Sequence, residues 1–304
     1  MFDMILERDR MHSFLKAIGF EDMNNVKLDE ILNQVFEKPN YMNIAKDSMG
    51  NEFVQISKDF GKSIGVSICG SYSEDGHFEM DYYYPYFHGN RITSEEYLEI
   101  EKHSDKESYA AVCDDIKVGV TLIFFIQNVA EYLKEKSTWK NNIIPKMSAS
   151  LAALCLNGKV LLPISKSEVQ IQKNEEITQN RNHLIAAAKE GDEDAIESLT
   201  LEDIDLYSML SKRIINEDVL SIVDSYFMPY GIESDQYSVL GEILDVRYTE
   251  NIITKKRICI MTVDTNDLIY DICISEENLL GEPQVGRRFK GNIWLQGSIN
   301  TKIN

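Results

Sequence analysis

The chain has 304 residues, enough for two or more domains with a substantial core, and 43% of them are apolar, which excludes wholesale disorder. Its 31 Lys and Arg against 50 Asp and Glu leave a net charge of −19, which excludes nonspecific attraction to nucleic acid or anionic lipid over most of the surface. The imbalance is uneven: residues 235–304 hold ten acids and eight bases, a net of −2, so the remaining −17 sits in residues 1–234.

Met11 to Phe20 predicts one short helix, because Phe14, Leu15 and Ile18 share a face and Gly19 supplies a stop. Val26 to Phe36 predicts a second, with Leu28, Ile31, Leu32, Val35 and Phe36 as its stripe and Pro39 after its end. The period then becomes two. Glu52 to Gln55 leads into a strand over Ser63 to Cys69, Ser73 to Gly76 reads as a hairpin turn, and Phe78 to Tyr84 is the return strand. Ser94 to Lys102 predicts a helix with Glu95 and Glu96 near its positive end. Strands over Tyr109 to Cys113 and Lys117 to Gln127 follow, then a helix over Val129 to Lys136. Asn157-Gly158 is the strongest short turn signal in the chain and predicts a hairpin over Ala149 to Ile164.

Polar residues Ser165 to Asn174 read as a linker into helical sequence. Helices are expected over Ile177 to Glu190, from a capping box at Thr200 to Asp203, and after a cap at Asn216; Met228 to Gly231 reads as a turn. Then come short strands: Tyr237 to Thr249, Ile253 to Asp264, Leu268 to Ser275 and Arg288 to Ile299. Gly241 and Gly291 mark bulges or bends of the kind a small barrel needs at its corners. Three strands, an interruption and a further strand is the order of an OB-fold. The fold class expected is α+β: a mixed domain over residues 1–173, a helical connector over 174–234 and a small antiparallel β-barrel-like, OB-like module over 235–304.

No motif identifies a reaction. Gly61-Lys62-Ser63 has the tail of a phosphate-binding loop, but Ile56 stands where its first glycine belongs and a strand follows instead of a helix. Asp264 to Asp267 begins like a calcium loop and fails at Leu268 and Ile269, so a polar hairpin turn is the reading kept. Five scattered cysteines, never paired as C-x-x-C, read as buried thiols in a reducing cytoplasm. The charged N-terminus is no signal peptide, and Val118 to Ile126 is about half the length that spans a membrane. Cys69 and His77, with His88 nearby, are the one conceivable Cys–His grouping. Isolated cysteines and histidines are more often packing or surface residues, so no catalytic residue, metal or cofactor is assigned.

Two patches are candidates for binding. Tyr82, Tyr84 and Tyr86, with His77 and His88, could line a small-ligand site, against the plainer reading that a strand selects aromatics to fill a core. Lys255, Lys256, Arg257, Arg287 and Arg288, with Trp294, could form a face for a partner or for single-stranded nucleic acid. Residues 190 to 211 carry eight acids and no Lys or Arg, which reads as a solvated helix face, with a surface for a basic protein partner as the alternative.

The stretches Met11 to Phe20, Tyr226 to Gly231 and Gly286 to Gly297 resemble a family of uncharacterised bacterial proteins known only as a domain of unknown function. The resemblance covers nearly the whole chain from Met11 and makes Met1 to Arg10 an extension or a misplaced start. It implies no activity, cofactor or catalytic residue. The function expected is therefore a soluble cytoplasmic binding or interaction protein without evident catalysis, its partner another protein or a second copy of itself. A small-ligand binder or enzyme at the tyrosine strand is the first alternative, and nucleic-acid binding by the β module the second.

Overall fold

The computed structural model describes residues 13–103, 107–114, 121–139, 145–164, 180–181, 183–188, 191–214, 219–232 and 234–301. The described chain opens with a 3-10 turn, Leu15–Ile18, ended by Gly19 at φ +89°; Met11 and His12 of the expected helix lie outside the described residues. Helix α1 (Asn25–Glu37) starts where Asn24 accepts a hydrogen bond from the Lys27 amide at 2.9 Å, and it buries Ile31 and Val35.

Strands β1 (Tyr41–Lys46), β2 (Glu52–Gly61), β3 (Ile64–Tyr72) and β4 (Phe78–Phe87) then form an antiparallel sheet in that order. Each connection is local turn chemistry. Asp47 accepts from the Met49 and Asn51 amides, Lys62-Ser63 makes a two-residue loop with Ser63 at φ +65°, and Gly76 at φ +79° closes the Ser73 turn. The register puts Gln55, Ser57 and Asp59 of β2 on one face with Tyr82, Tyr84 and Tyr86 of β4. Helix α1 packs over the two central strands, β2 and β3.

The second sheet begins with β5 (Leu98–His103), β6 (Ser108–Cys113) and β7 (Leu122–Ile126). The helix expected over Ser94 to Lys102 is instead a bridge from Ser94 to Ala149 followed by β5, whose Leu98 faces Cys113 across the pair. Pairing with β6 overrides the helix-favouring glutamates, since propensity is a weak prior against tertiary context. Residues 117–120 of the expected strand Lys117 to Gln127 lie outside the described residues. Helix α2 (Val129–Lys136) is as expected, and the long strand β8 (Ser148–Leu161) follows it.

Strand β8 replaces the expected hairpin. Gly158 lies opposite Gly291, and a Cβ on either would meet the Phe289 ring, at 2.4 and 2.7 Å. The Asn-Gly pair is thus a close approach inside a sheet rather than a turn.

Helix α3 (Glu193–Ile214) is capped by Asp192, which accepts from the Ala195 amide at 3.1 Å, and α4 (Val219–Ile222) follows. Thr200 does not start a helix; its hydroxyl donates to the Ile196 carbonyl within α3. Residues 180–181 and 183–188 are helical, as expected, whereas the linker Ser165 to Asn174 and the Asn216 cap lie outside the described residues. Met228 and Pro229 belong to a strand, β9 (Tyr226–Pro229), which pairs with the start of β10, and the turn falls one step later at Gly231.

Strands β10 (Gln236–Glu250), β11 (Arg257–Thr265) and β12 (Leu268–Ser275) form an antiparallel meander, with Asn266 and Asp267 both at positive φ in the two-residue loop between the last two. A short β13 (Leu279–Leu280) pairs with β8, and β14 (Arg288–Asn300) ends the described chain. Closure comes from β8. It runs parallel to β12 on one side and antiparallel to β14 on the other, and β14 pairs with β10. The result is an α+β chain, mostly β, with a closed five-stranded barrel in the order β10-β11-β12-β8-β14. The far part of β14 also pairs with β7, so β7, β6 and β5 extend from the barrel as a wing. Bulges fall at Ile243/Asp245, two residues beyond Gly241, and at Gly291/Ile293.

One continuous hydrophobic cluster joins the two sheets. Tyr84 of β4 meets Phe125 of β7 at 4.8 Å between ring centroids, Phe125 meets Trp294 at 5.3 Å, and Trp294 meets Phe14 at 5.2 Å.

Candidate functional site

The tyrosine strand lies in the seam between the sheets. Tyr82, Tyr84 and Tyr86 are buried, and each hydroxyl is committed. Tyr84 donates to the Gln127 carbonyl at 2.6 Å and accepts from Gln55, Tyr82 donates to the Glu107 carbonyl, and Tyr86 donates to Asp59 at 2.6 Å. Burial pushes all three phenols above their ordinary range. These residues line a packed seam, not a cleft. Strand-alternating aromatics fill the core there, as the plainer reading of the sequence has it.

His88, at the end of the same strand, stacks on Tyr86 at 4.4 Å, with Nδ1 2.9 Å from the Gln127 Oε1. Gln127 Nε2 already donates to the Phe87 carbonyl and to Gln296 Oε1, so Oε1 is the acceptor and His88 Nδ1 carries the hydrogen. Burial holds the imidazole below its usual 6.5, against the Gln127 hydrogen bond and the charges of Asp59 and Glu131. The folded state therefore disfavours the charged ring. Its contribution to stability is complete above the unfolded value and is lost as the pH falls through the lower folded one. His88→Gln keeps a donor but cannot titrate. Between about pH 7.5 and 5.5, melting temperature should fall less steeply for this variant than for the native protein; equal slopes would remove His88 as the cause.

His77 sits in the exposed Ser73 turn, where its carbonyl accepts from the Ser73 amide. His77 and His88 bracket the ten residues of β4, roughly 36 Å apart along an extended strand, so they share no site. Cys69 is buried opposite Tyr82. All five cysteines are buried and none forms a disulfide, and burial lifts the Cys69, Cys155 and Cys259 thiols to about 12. Among the described residues no group of three or more His, Cys, Asp or Glu is placed to hold a metal ion.

Sequence reasoning passed over the polar side chains that hold the seam. Gln55, Gln127 and Gln296 reach across the sheets, Gln55 to the Gln127 carbonyl at 2.7 Å and Gln296 to the Pro85 carbonyl at 2.9 Å. Glu107 takes hydrogen bonds from Ser48, Lys102 and Tyr109. Burial raises its pKa, but those donors outweigh it and hold the carboxyl below its ordinary range. A glutamine within an apolar strand such as Leu122 to Gln127 was the one available signal.

The basic set does not form one face. Trp294 is fully buried, donating its indole N–H to Asp235 at 2.8 Å. Arg288 is also buried and donates to the Leu162 and Val223 carbonyls; Arg287 donates to the Glu282 carbonyl. Lys255, Lys256 and Arg257 do lie together at the surface, but each has a carboxylate partner: Glu250, Glu277 and Glu276 respectively.

Beside Arg257 opens a cleft of about 420 Å³. One wall is the β10–β11 hairpin with Tyr248 and Arg257; the other is the loop after β12 with Glu276, Leu279, Glu282 and Pro283. The Arg257 guanidinium lies 3.8 Å from the centre of the Tyr248 ring, and its Nη1 is 3.0 Å from Glu276. Arg257, Tyr248 and Glu282 are exposed. Of the sequence candidates, only Arg257 lines this cleft.

A family model described as "Domain of unknown function, E. rectale Gene description (DUF3881)" matches residues 15–297. No curated protein and no solved structure matches the chain.

Proposed function

The chain belongs to the DUF3881 family, whose function is unknown, and we propose that it is a non-catalytic binding protein whose recognition site is the cleft at Tyr248 and Arg257. The observation that carries this reading is the exposed Tyr–Arg pair set between Leu279, Pro283 and two carboxylates, since Tyr and Arg beside apolar anchors dominate protein interface energetics. The partner this suits is a peptide segment of another protein carrying both an acidic and a basic group. A surface ion pair such as Arg257–Glu276 contributes little to stability and exchanges readily for such groups. The five cysteines are buried, and the half-buried His88 is held by Gln127, which supports binding over catalysis.

We read the barrel as OB-like. Strands β10, β11, β12, β14 and β8 have the pairing order and senses of that fold, with the last strand supplied from upstream. OB-folds bind oligonucleotides on the face of their second and third strands. Here Ile258, Ile260, Thr262, Asp271 and Cys273 of that face are buried, and the Cys273 thiol donates to Ala17 of the 3-10 turn. That cover, together with the matched cations, favours a protein partner. Among the described residues no helix is long and apolar enough to cross a membrane. Five buried cysteines with no disulfide among them suit a reducing compartment, and we infer a cytoplasmic location on that ground.

The test is affinity capture with full-length protein and with Tyr248→Ala and Arg257→Ala. Each variant should weaken the captured partner about 30-fold, the size of a typical hot-spot loss, at an unchanged melting temperature. Undiminished capture by both would remove the cleft as the site.

A further inference from the structure

Two outer strands of this molecule differ in a way that bears on assembly. Strand β5 ends the wing of the second sheet, and its sequence carries Glu99, Glu101 and Lys102, all exposed, the charged guards that keep a sheet edge from pairing. Strand β1 ends the first sheet, and among the described residues no strand pairs with its outer edge. It carries one charge, Lys46, at its last position. Tyr41, Met42 and Ile44 are 58%, 45% and 49% exposed. Helix α2 packs against one face of β1, but among the described residues no strand satisfies its outer edge, and such an edge with three large apolar side chains in water is costly for a monomer.

We propose that β1 pairs antiparallel with β1 of a second copy, joining two four-stranded sheets into one. This goes beyond the cleft reading and does not depend on it. The strand's own sequence argues for a second copy. In an antiparallel pair, residues whose backbone groups point outward must oppose their like, so the two-fold axis passes through a residue and not between two. An axis at Asn43 uses the whole strand. It sets Met42 against Ile44 of the partner subunit, Tyr41 against Ala45 of the partner subunit, and Lys46 against Asn40 of the partner subunit. Apolar residues then face apolar ones, and no charge opposes its like.

Charge points the same way. Two copies of a chain at −19 repel one another, and an uncharged strand ending in a lysine is a place where they can meet. The contact is short, below the roughly 1,200 Å² of a standard interface, so the dimer should form in the micromolar range.

Sedimentation equilibrium of the full-length native protein, from about 1 to 200 μM, tests this against that expected range. The average mass should rise from 34.9 kDa toward twice that value. Met42→Lys and Ile44→Lys place like charge at the contact on exposed side chains. Each should weaken self-association at least tenfold and leave the melting temperature unchanged. A native protein that stays at 34.9 kDa throughout, or association undiminished in both variants, overturns the proposal. Tyr248→Ala and Arg257→Ala should dimerise like the native protein, so failure at the cleft and failure at β1 are read separately.

Discussion

Residues 235–304 expressed alone should show no cooperative unfolding transition and a far-ultraviolet circular dichroism spectrum of disordered chain. They contain β10, β11, β12 and β14 but not β8, which holds two seams of the barrel. One runs parallel along Asp271–Ile274 of β12, and the other is antiparallel along nearly all of β14. Without β8 the barrel loses the buried Leu151, Ala153 and Cys155 and opens two edges at once. A domain is stable by only about 5–15 kcal/mol, and loss of a central strand exceeds that margin. The geometry also supplies a rescue. Asn300 lies opposite Ser148, so a short turn from the end of β14 into residues 148–161 restores the closing strand in the usual OB order. A sharp thermal transition in residues 235–304 alone would show that β8 is dispensable and that a boundary near residue 235 is a true domain limit.

Trp294→Ala should destabilise the protein by about 3–5 kcal/mol, the cost of emptying a buried aromatic site. The indole is fully buried between Phe14 and Phe125 and therefore touches both the chain's first described turn and the wing of the second sheet. Its removal also leaves the Asp235 carboxylate without the indole N–H at 2.8 Å, although the buried Asp235 has other interactions. Urea unfolding of the full chain, with the midpoint shift converted through an unchanged m-value, measures this. A loss under about 1 kcal/mol would mean that the site collapses around the smaller side chain, and Trp294 would then not be a keystone between the sheets.

How far the sequence alone reaches is clearest where the signal is local. The Ser73–Gly76 turn, the α1 stripe of Ile31 and Val35, the strand Leu268–Ser275 and the polar turn before it are set by residues within a few positions of one another. Their chemistry is complete on the short segment: a glycine at positive φ, a 3.6-residue period, a paired Asn-Asp at positive φ. Family membership was legible too, in the Met11, Tyr226 and Gly286 stretches, and the matched region covers residues 15–297.

What the tertiary structure decided are the features whose partners lie far away in the chain. Asn157-Gly158 has the turn signal at full strength, yet it runs straight, because Phe289 needs the space that two opposed glycines leave. The Ser94 to Lys102 segment has helix-favouring acids, yet it pairs with β6. Trp294 and Arg288 look like a binding face in a list of basic and aromatic residues, and distant segments bury both: Phe14 and Phe125 cover Trp294, and the Leu162 and Val223 carbonyls hold Arg288. Composition reports that a side chain is charged or aromatic; only strand register reports which side of the sheet it is on, since a shift of one residue exchanges the two faces. The candidate cleft belongs to the same class. Arg257 was visible as part of a basic run, but Tyr248, Glu276 and Pro283 become one site only when the β10–β11 hairpin and the loop after β12 are brought side by side at the end of a closed barrel.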